Sequence, residues 1–125
     1  MSEHDHQAAF FTWASHKRFP GIELLHAIPN GGTRHPLEAI KLKKEGVKPG
    51  VTDVSWPVAR GGVLGLAIEF KYGDANPSKE QRARIDKMQQ EGWCVAVCWS
   101  WAAAARLLTG YAGMLRVSID DELIV

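Results

Sequence analysis

Asp53, Glu69 and Lys71 are the side chains of this 125-residue chain whose types and spacing can do chemistry together. Glu69 and Lys71 flank Phe70, so on a β-strand they point to one face while Phe70 points into the opposite layer. Upstream stand Val54-Ser55-Trp56-Pro57-Val58, a Gly61-Gly62 turn and the apolar run from Val63 to Ile68. Two β-prone segments around a Gly-Gly turn read as a hairpin, which folds Asp53 back beside Glu69 and Lys71. Two carboxylates and an ammonium converging at strand ends suit a divalent cation held against a phosphodiester, with a water activated for attack.

The elements that must position these groups follow from periodicity and turn chemistry. Ala9, Phe10, Trp13 and Ala14 fall at helical spacing, predicting a helix from about Asp5 to Lys17 that ends at Pro20-Gly21. A short strand is expected from Glu23 to Ile28, then a Pro29-Asn30-Gly31-Gly32 loop. Pro36 opens a helix that runs to Glu45 and stops at Gly46. After the hairpin, Ser78-Lys79-Glu80-Gln81 matches a capping box and starts a helix to about Gln90. Trp93 to Trp99 reads as a buried strand, Ser100 caps a last helix to about Leu108, and Met114 to Val125 alternates like an extra strand. This order predicts an α/β fold: one mixed sheet with helices on its faces, a single domain over 1–125 with a core at about 3–110 and a tail at 111–125.

Composition narrows the function classes. Hydrophobic content of 46% and charged content of 23% are those of a globular domain, which excludes a disordered chain. A formal net charge of +1 excludes a strongly basic nucleic-acid binder, so any phosphate contact must come from a local patch. Lys41, Lys43, Lys44 and Lys48 form the densest such run. No apolar stretch approaches membrane-spanning length, and Met1 to His6 lacks the features of a signal peptide, so a cytoplasmic location is expected. Cys94 and Cys98 on one strand would lie roughly 13 Å apart, too far for a disulfide.

Taken together, Asp53 followed by Glu69-Phe70-Lys71 resembles the signature of the metal-dependent PD-(D/E)XK nucleases. More narrowly, Ala27-Ile28-Pro29-Asn30-Gly31-Gly32, Glu45-Gly46-Val47-Lys48-Pro49-Gly50-Val51-Thr52-Asp53, Ile68-Glu69-Phe70-Lys71, Ser78-Lys79-Glu80-Gln81 and Glu91-Gly92-Trp93 resemble the VRR-NUC family, in family order. Val51-Thr52 precedes Asp53 where the wider superfamily often carries proline. The resemblance implies a restriction-endonuclease-like core and hydrolysis of DNA phosphodiesters with Mg²⁺ or Mn²⁺. It also implies, for a small stand-alone member, a phage-type homodimer acting on four-way junctions. Flap or single-strand cleavage and a catalytically silent DNA-binding module are the alternatives.

Against that background each residue takes an expected role. Asp53 and Glu69 are candidate metal ligands, with the Phe70 backbone carbonyl beside them. Lys71 would orient the attacking water or neutralise charge on the phosphate. Family likeness assigns Glu3 a further carboxylate role, with Gln7 one turn on, while Asp5, His4 and His6 compete for that place. Gln81 has two readings: the partner of Ser78 in the capping box or, by likeness, a residue close to the catalytic centre. Asn30 and Arg34 in the Gly-rich loop, with Lys41, Lys44 and Lys48, are candidate phosphate contacts to DNA. A homodimer is expected because one chain supplies one site, and symmetrical cutting needs two. Its contact would come from the first helix or the tail.

Overall fold

The computed structural model describes residues 1–29 and 35–116. The elements in order are α1 (Glu3–Ala14), a 3₁₀ turn (Ile22–Leu24), β1 (His26–Ala27), α2 (Pro36–Lys44), β2 (Val54–Trp56), β3 (Leu66–Phe70), α3 (Lys79–Gln90), β4 (Cys94–Cys98) and α4 (Trp101–Ala112). The strands form one sheet in the order β1-β2-β3-β4. The first two pairings are antiparallel, and β3–β4 is parallel, with α3 as its crossover. The expected mixed sheet flanked by helices is the architecture observed.

The hairpin closes as its composition predicts. Gly61 and Gly62 both take positive φ (58° and 80°), the conformation a two-residue primed turn requires, and Arg60 and Val63 bridge across it. Val54, Trp56, Leu66, Ile68 and Phe70 then fall on one face and are buried against Phe10 of α1 and Ala104, Leu108 and Tyr111 of α4. The Phe10 and Phe70 rings lie 5.7 Å apart, and those of Trp56 and Tyr111 5.8 Å apart. Buried aromatic polar atoms find partners: Trp56 Nε1 donates to the Gly21 carbonyl at 2.7 Å, and Tyr111 Oη to the Val58 carbonyl at 2.6 Å. On the opposite face lie Ala67 and Glu69, buried as completely as the core residues, so β3 is covered on both sides.

Several elements differ from the sequence expectation. Helix α1 begins at Glu3 because Ser2 caps it: Ser2 Oγ accepts the Asp5 amide and Asp5 Oδ2 accepts the Ser2 amide. It also ends at Ala14 rather than Lys17. The strand expected over Glu23–Ile28 is reduced to His26–Ala27, because in the β1–β2 register Leu24 would fall opposite Pro57, which has no N–H to donate. Helix α4 continues past Leu108 to Ala112, drawn on by burial of Tyr111. Among the described residues strand β4 lies at the edge of the sheet, and it is half-buried over Cys94–Val97 rather than buried throughout. Of the apolar residues of α1, Phe10 and Ala14 are buried, and Phe11 and Trp13 pack beside the core while staying partly exposed. Of the extra strand expected over Met114 to Val125, the described part is Met114 to Arg116, where Arg116 makes an isolated antiparallel bridge with Arg60 and the Leu115 carbonyl accepts the Gly61 amide; the rest lies outside the described residues.

Candidate active site

The site grows out of the end of the β2–β3 ladder. With Val54 paired to Ile68, the next position places Asp53 across from Glu69, at the edge where the ladder stops. Asp53 ends it with its side chain, Oδ2 accepting the Phe70 amide at 2.7 Å. A strand residue sends its N–H and C=O off the same edge, so the Phe70 carbonyl leaves on the side that carries Asp53.

Glu69 is 2% exposed and sits among three groups. Its Oε1 accepts from Gln81 Nε2 at 2.8 Å and lies 3.9 Å from Lys71 Nζ. Its Oε2 is buried without a hydrogen-bond partner among the described residues. Burial, reinforced by the negative charge of Asp53, raises the Glu69 carboxyl from its ordinary 4.5 to about 8, with Lys71 pulling the other way. A divalent cation beside the two carboxylates would relieve the same repulsion and favour the ionised form of Glu69.

Gln81 both caps α3 and reaches Glu69 with one side-chain amide. Its Oε1 accepts the Ser78 amide at 2.8 Å and its backbone N–H donates to Ser78 Oγ at 3.1 Å, a complete capping box. The Nε2 end of the same side chain is left free to hold Glu69. Capping orients this glutamine; it does not compete with the site.

A cleft of about 860 Å³ opens over these residues. Its walls include Glu3, Lys43, Lys48, Gly50, Asp53, Glu69, Lys71 and Gln81, with Leu42, Val47 and Val51 as apolar lining. Glu3 thus reaches the cleft, while Gln7 is not among the residues that line it. Two of its competitors are engaged elsewhere. Asp5 caps α1 and is held below the usual carboxylate range by hydrogen bonds from Ser2, and His6 Nδ1 accepts the Trp101 amide at the start of α4. Of the basic run, Lys43 and Lys48 line the cleft and Lys41 and Lys44 do not. The helical spacing of Ala39, Leu42 and Lys43 carried that signal, since it defines the α2 face turned to the cleft. Asn30 and Arg34 lie outside the described residues.

Among the described residues no three His, Cys, Asp or Glu side chains gather as a ready metal cluster. Asp53 and Glu69 make two oxygen donors, a set that suits Mg²⁺, which takes one or two carboxylates and keeps several waters. The donor chemistry and the unpartnered Glu69 Oε2 fit such an ion. No helix among the described residues is long and apolar enough to cross a membrane.

No family model and no curated protein matches this chain. Among solved structures, one described as a VRR_NUC domain protein matches it with a TM-score of 0.82 and 27% sequence identity, over 94% of this chain and 93% of that one. The likeness to the VRR-NUC family therefore extends over nearly the whole length, and the restriction-endonuclease-like architecture expected from the motifs is the one the chain adopts.

Proposed function

We propose that this chain is a divalent-metal-dependent DNA endonuclease that hydrolyses phosphodiester bonds in branched DNA, with the four-way junction as its substrate and a homodimer as its working form. The observation that carries the reading is the placement of Asp53, Glu69, Lys71 and Gln81 together in a cleft walled by Lys43 and Lys48. A structural neighbour described as a VRR_NUC domain protein supports it.

Asp53 and Glu69, with the Phe70 carbonyl, would hold Mg²⁺ or Mn²⁺, and Glu3 would face its waters from the rim. Such an ion supplies Lewis-acid polarisation of the phosphoryl group and lowers the pKa of water in the site. Lys71 neutralises charge developing on the phosphate, from a position already beside Glu69. Gln81 fixes the Glu69 carboxylate in one orientation. Lys43 and Lys48 hold the backbone of the DNA without reading its sequence.

The deciding experiment incubates the protein with end-labelled four-way junction, 5′-flap, single-stranded and linear duplex DNA in Mg²⁺, Mn²⁺ and EDTA, beside a Glu69→Ala control. Paired, metal-dependent cuts confined to the junction are expected. Cuts on the flap or single strand instead would replace the substrate assignment, and binding without cleavage in any metal would favour a silent DNA-binding module. Sedimentation showing only monomer at micromolar concentration would remove the homodimer.

The two duties of Gln81 are separable. Ser78→Ala and Gln81→Ala each break the α3 cap and should each lower stability by about 1 kcal/mol. Only Gln81→Ala frees Glu69, so its cleavage rate should fall roughly tenfold while Ser78→Ala stays within about twofold. Equal activity losses in the two variants would reduce Gln81 to a cap.

A further inference from the structure

Gly50 takes φ = +79° and lines the cleft beside Gln81. A Cβ added there would lie 2.8 Å from the carbonyl carbon and oxygen of Glu80 and 3.0 Å from the amide nitrogen of Gln81. All three are main-chain atoms in the first turn of α3, so none can swing aside as a side chain would. Among the described glycines of positive φ this is the one packed on backbone. Gly21, Gly61 and Gly92 meet side chains, and Gly46, Gly62 and Gly73 face open space.

We infer that Gly50 is a positioning residue, seating the chain that leads to Asp53 directly on the helix start that aims Gln81 at Glu69. Asp53 follows Gly50 through Val51 and the buried Thr52, which leaves little slack between the contact and the carboxylate. On the other side of the contact, the Gln81 amide nitrogen belongs to the residue whose side chain holds Glu69, so displacing that backbone carries the side chain away from Glu69. A single backbone contact thus couples the two segments that bring Asp53 and Gln81 to Glu69. The inference rests on the nuclease reading only for its activity readout.

The test pairs Gly50→Ala with Gly46→Ala. Gly46 also has positive φ (97°) but meets nothing within 4 Å, so its variant carries the backbone strain without the collision. Gly50→Ala is expected to lower kcat on DNA about 100-fold with KM within about threefold, the pattern of misplaced catalytic groups. Gly46→Ala should keep kcat within about threefold at a comparable melting temperature. In ¹⁵N-correlated NMR spectra of the metal-free proteins, the Gln81 side-chain amide should move to the position of a free glutamine in Gly50→Ala and stay in place in Gly46→Ala. Activity losses that track melting temperature in both variants, or an unmoved Gln81 amide in Gly50→Ala, would overturn the inference. Should Gly50→Ala fail to fold, the NOE between Gly50 Hα and the Gln81 backbone amide of the wild-type protein decides, its absence overturning the contact. Wild-type protein that cleaves nothing would sink the nuclease reading and leave the NMR comparison to judge Gly50.

Discussion

Glu69→Gln is expected to abolish metal-dependent cleavage while making the metal-free protein more stable at pH 8. The wild-type carboxyl titrates near 8 when folded against its ordinary 4.5 when unfolded. Between those values the folded state holds a proton that the unfolded chain has released, so wild-type stability falls as pH rises from about 4.5 to about 8 and levels off above. Glutamine does not titrate, and the variant lacks that decline. At pH 5 the two proteins should melt nearly together, and at pH 8 in EDTA the variant should be the more stable by roughly 2–4 kcal/mol. Magnesium should reverse the order. A cation that binds only the folded wild-type site raises its melting temperature by mass action and leaves Glu69→Gln where it was. Because the ion displaces a proton, Mg²⁺ affinity should strengthen as pH rises towards 8. Thermal melts with and without Mg²⁺ at the two pH values suffice. A variant that melts at or below wild type at pH 8 in EDTA would show that Glu69 is ionised without a metal, and the account of the site would fail.

Lys71→Met is expected to reduce kcat by roughly 10²–10³-fold, the scale on which an electrostatic stabiliser of the transition state is felt. DNA affinity should change little, since Lys43 and Lys48 also line the cleft. Lys71 has a second effect: its charge lowers the Glu69 pKa, so the variant should need higher pH or more metal to fill the site. The two effects separate at pH 9 with saturating Mg²⁺, where Glu69 is ionised regardless. Single-turnover cleavage there should remain at least about 50-fold below wild type if Lys71 acts on the reacting phosphate or water. Recovery to within a few-fold would reduce Lys71 to a guardian of the Glu69 charge.

Most of what positions the site was legible locally. The Gly61-Gly62 turn, the alternation that sets Lys71, just past the end of β3, beside Glu69, and the Ser78–Gln81 cap all depend on residues close in sequence. Where local pattern misled, a distant partner intervened. Burial of Tyr111 against the hairpin lengthened α4, and Pro57 shortened β1 by withholding a hydrogen bond from Leu24. On α2 the apolar spacing of Ala39 and Leu42, rather than charge density, marks the face that meets the cleft, and Lys43 shares it.

By itself, then, the sequence determined the chemistry on offer: a carboxylate pair, a lysine and a glutamine on elements whose order allows one mixed sheet. Residue type and short-range periodicity suffice for that, because they act through the chain's own neighbouring atoms. The tertiary structure alone decided what state those groups are in. Burial of Glu69 between β3 and α3, the Asp53 carboxylate set across from it, and the seat of Gly50 on the start of α3 involve segments far apart in the chain. Desolvation and close backbone contact exist only once those segments have packed together.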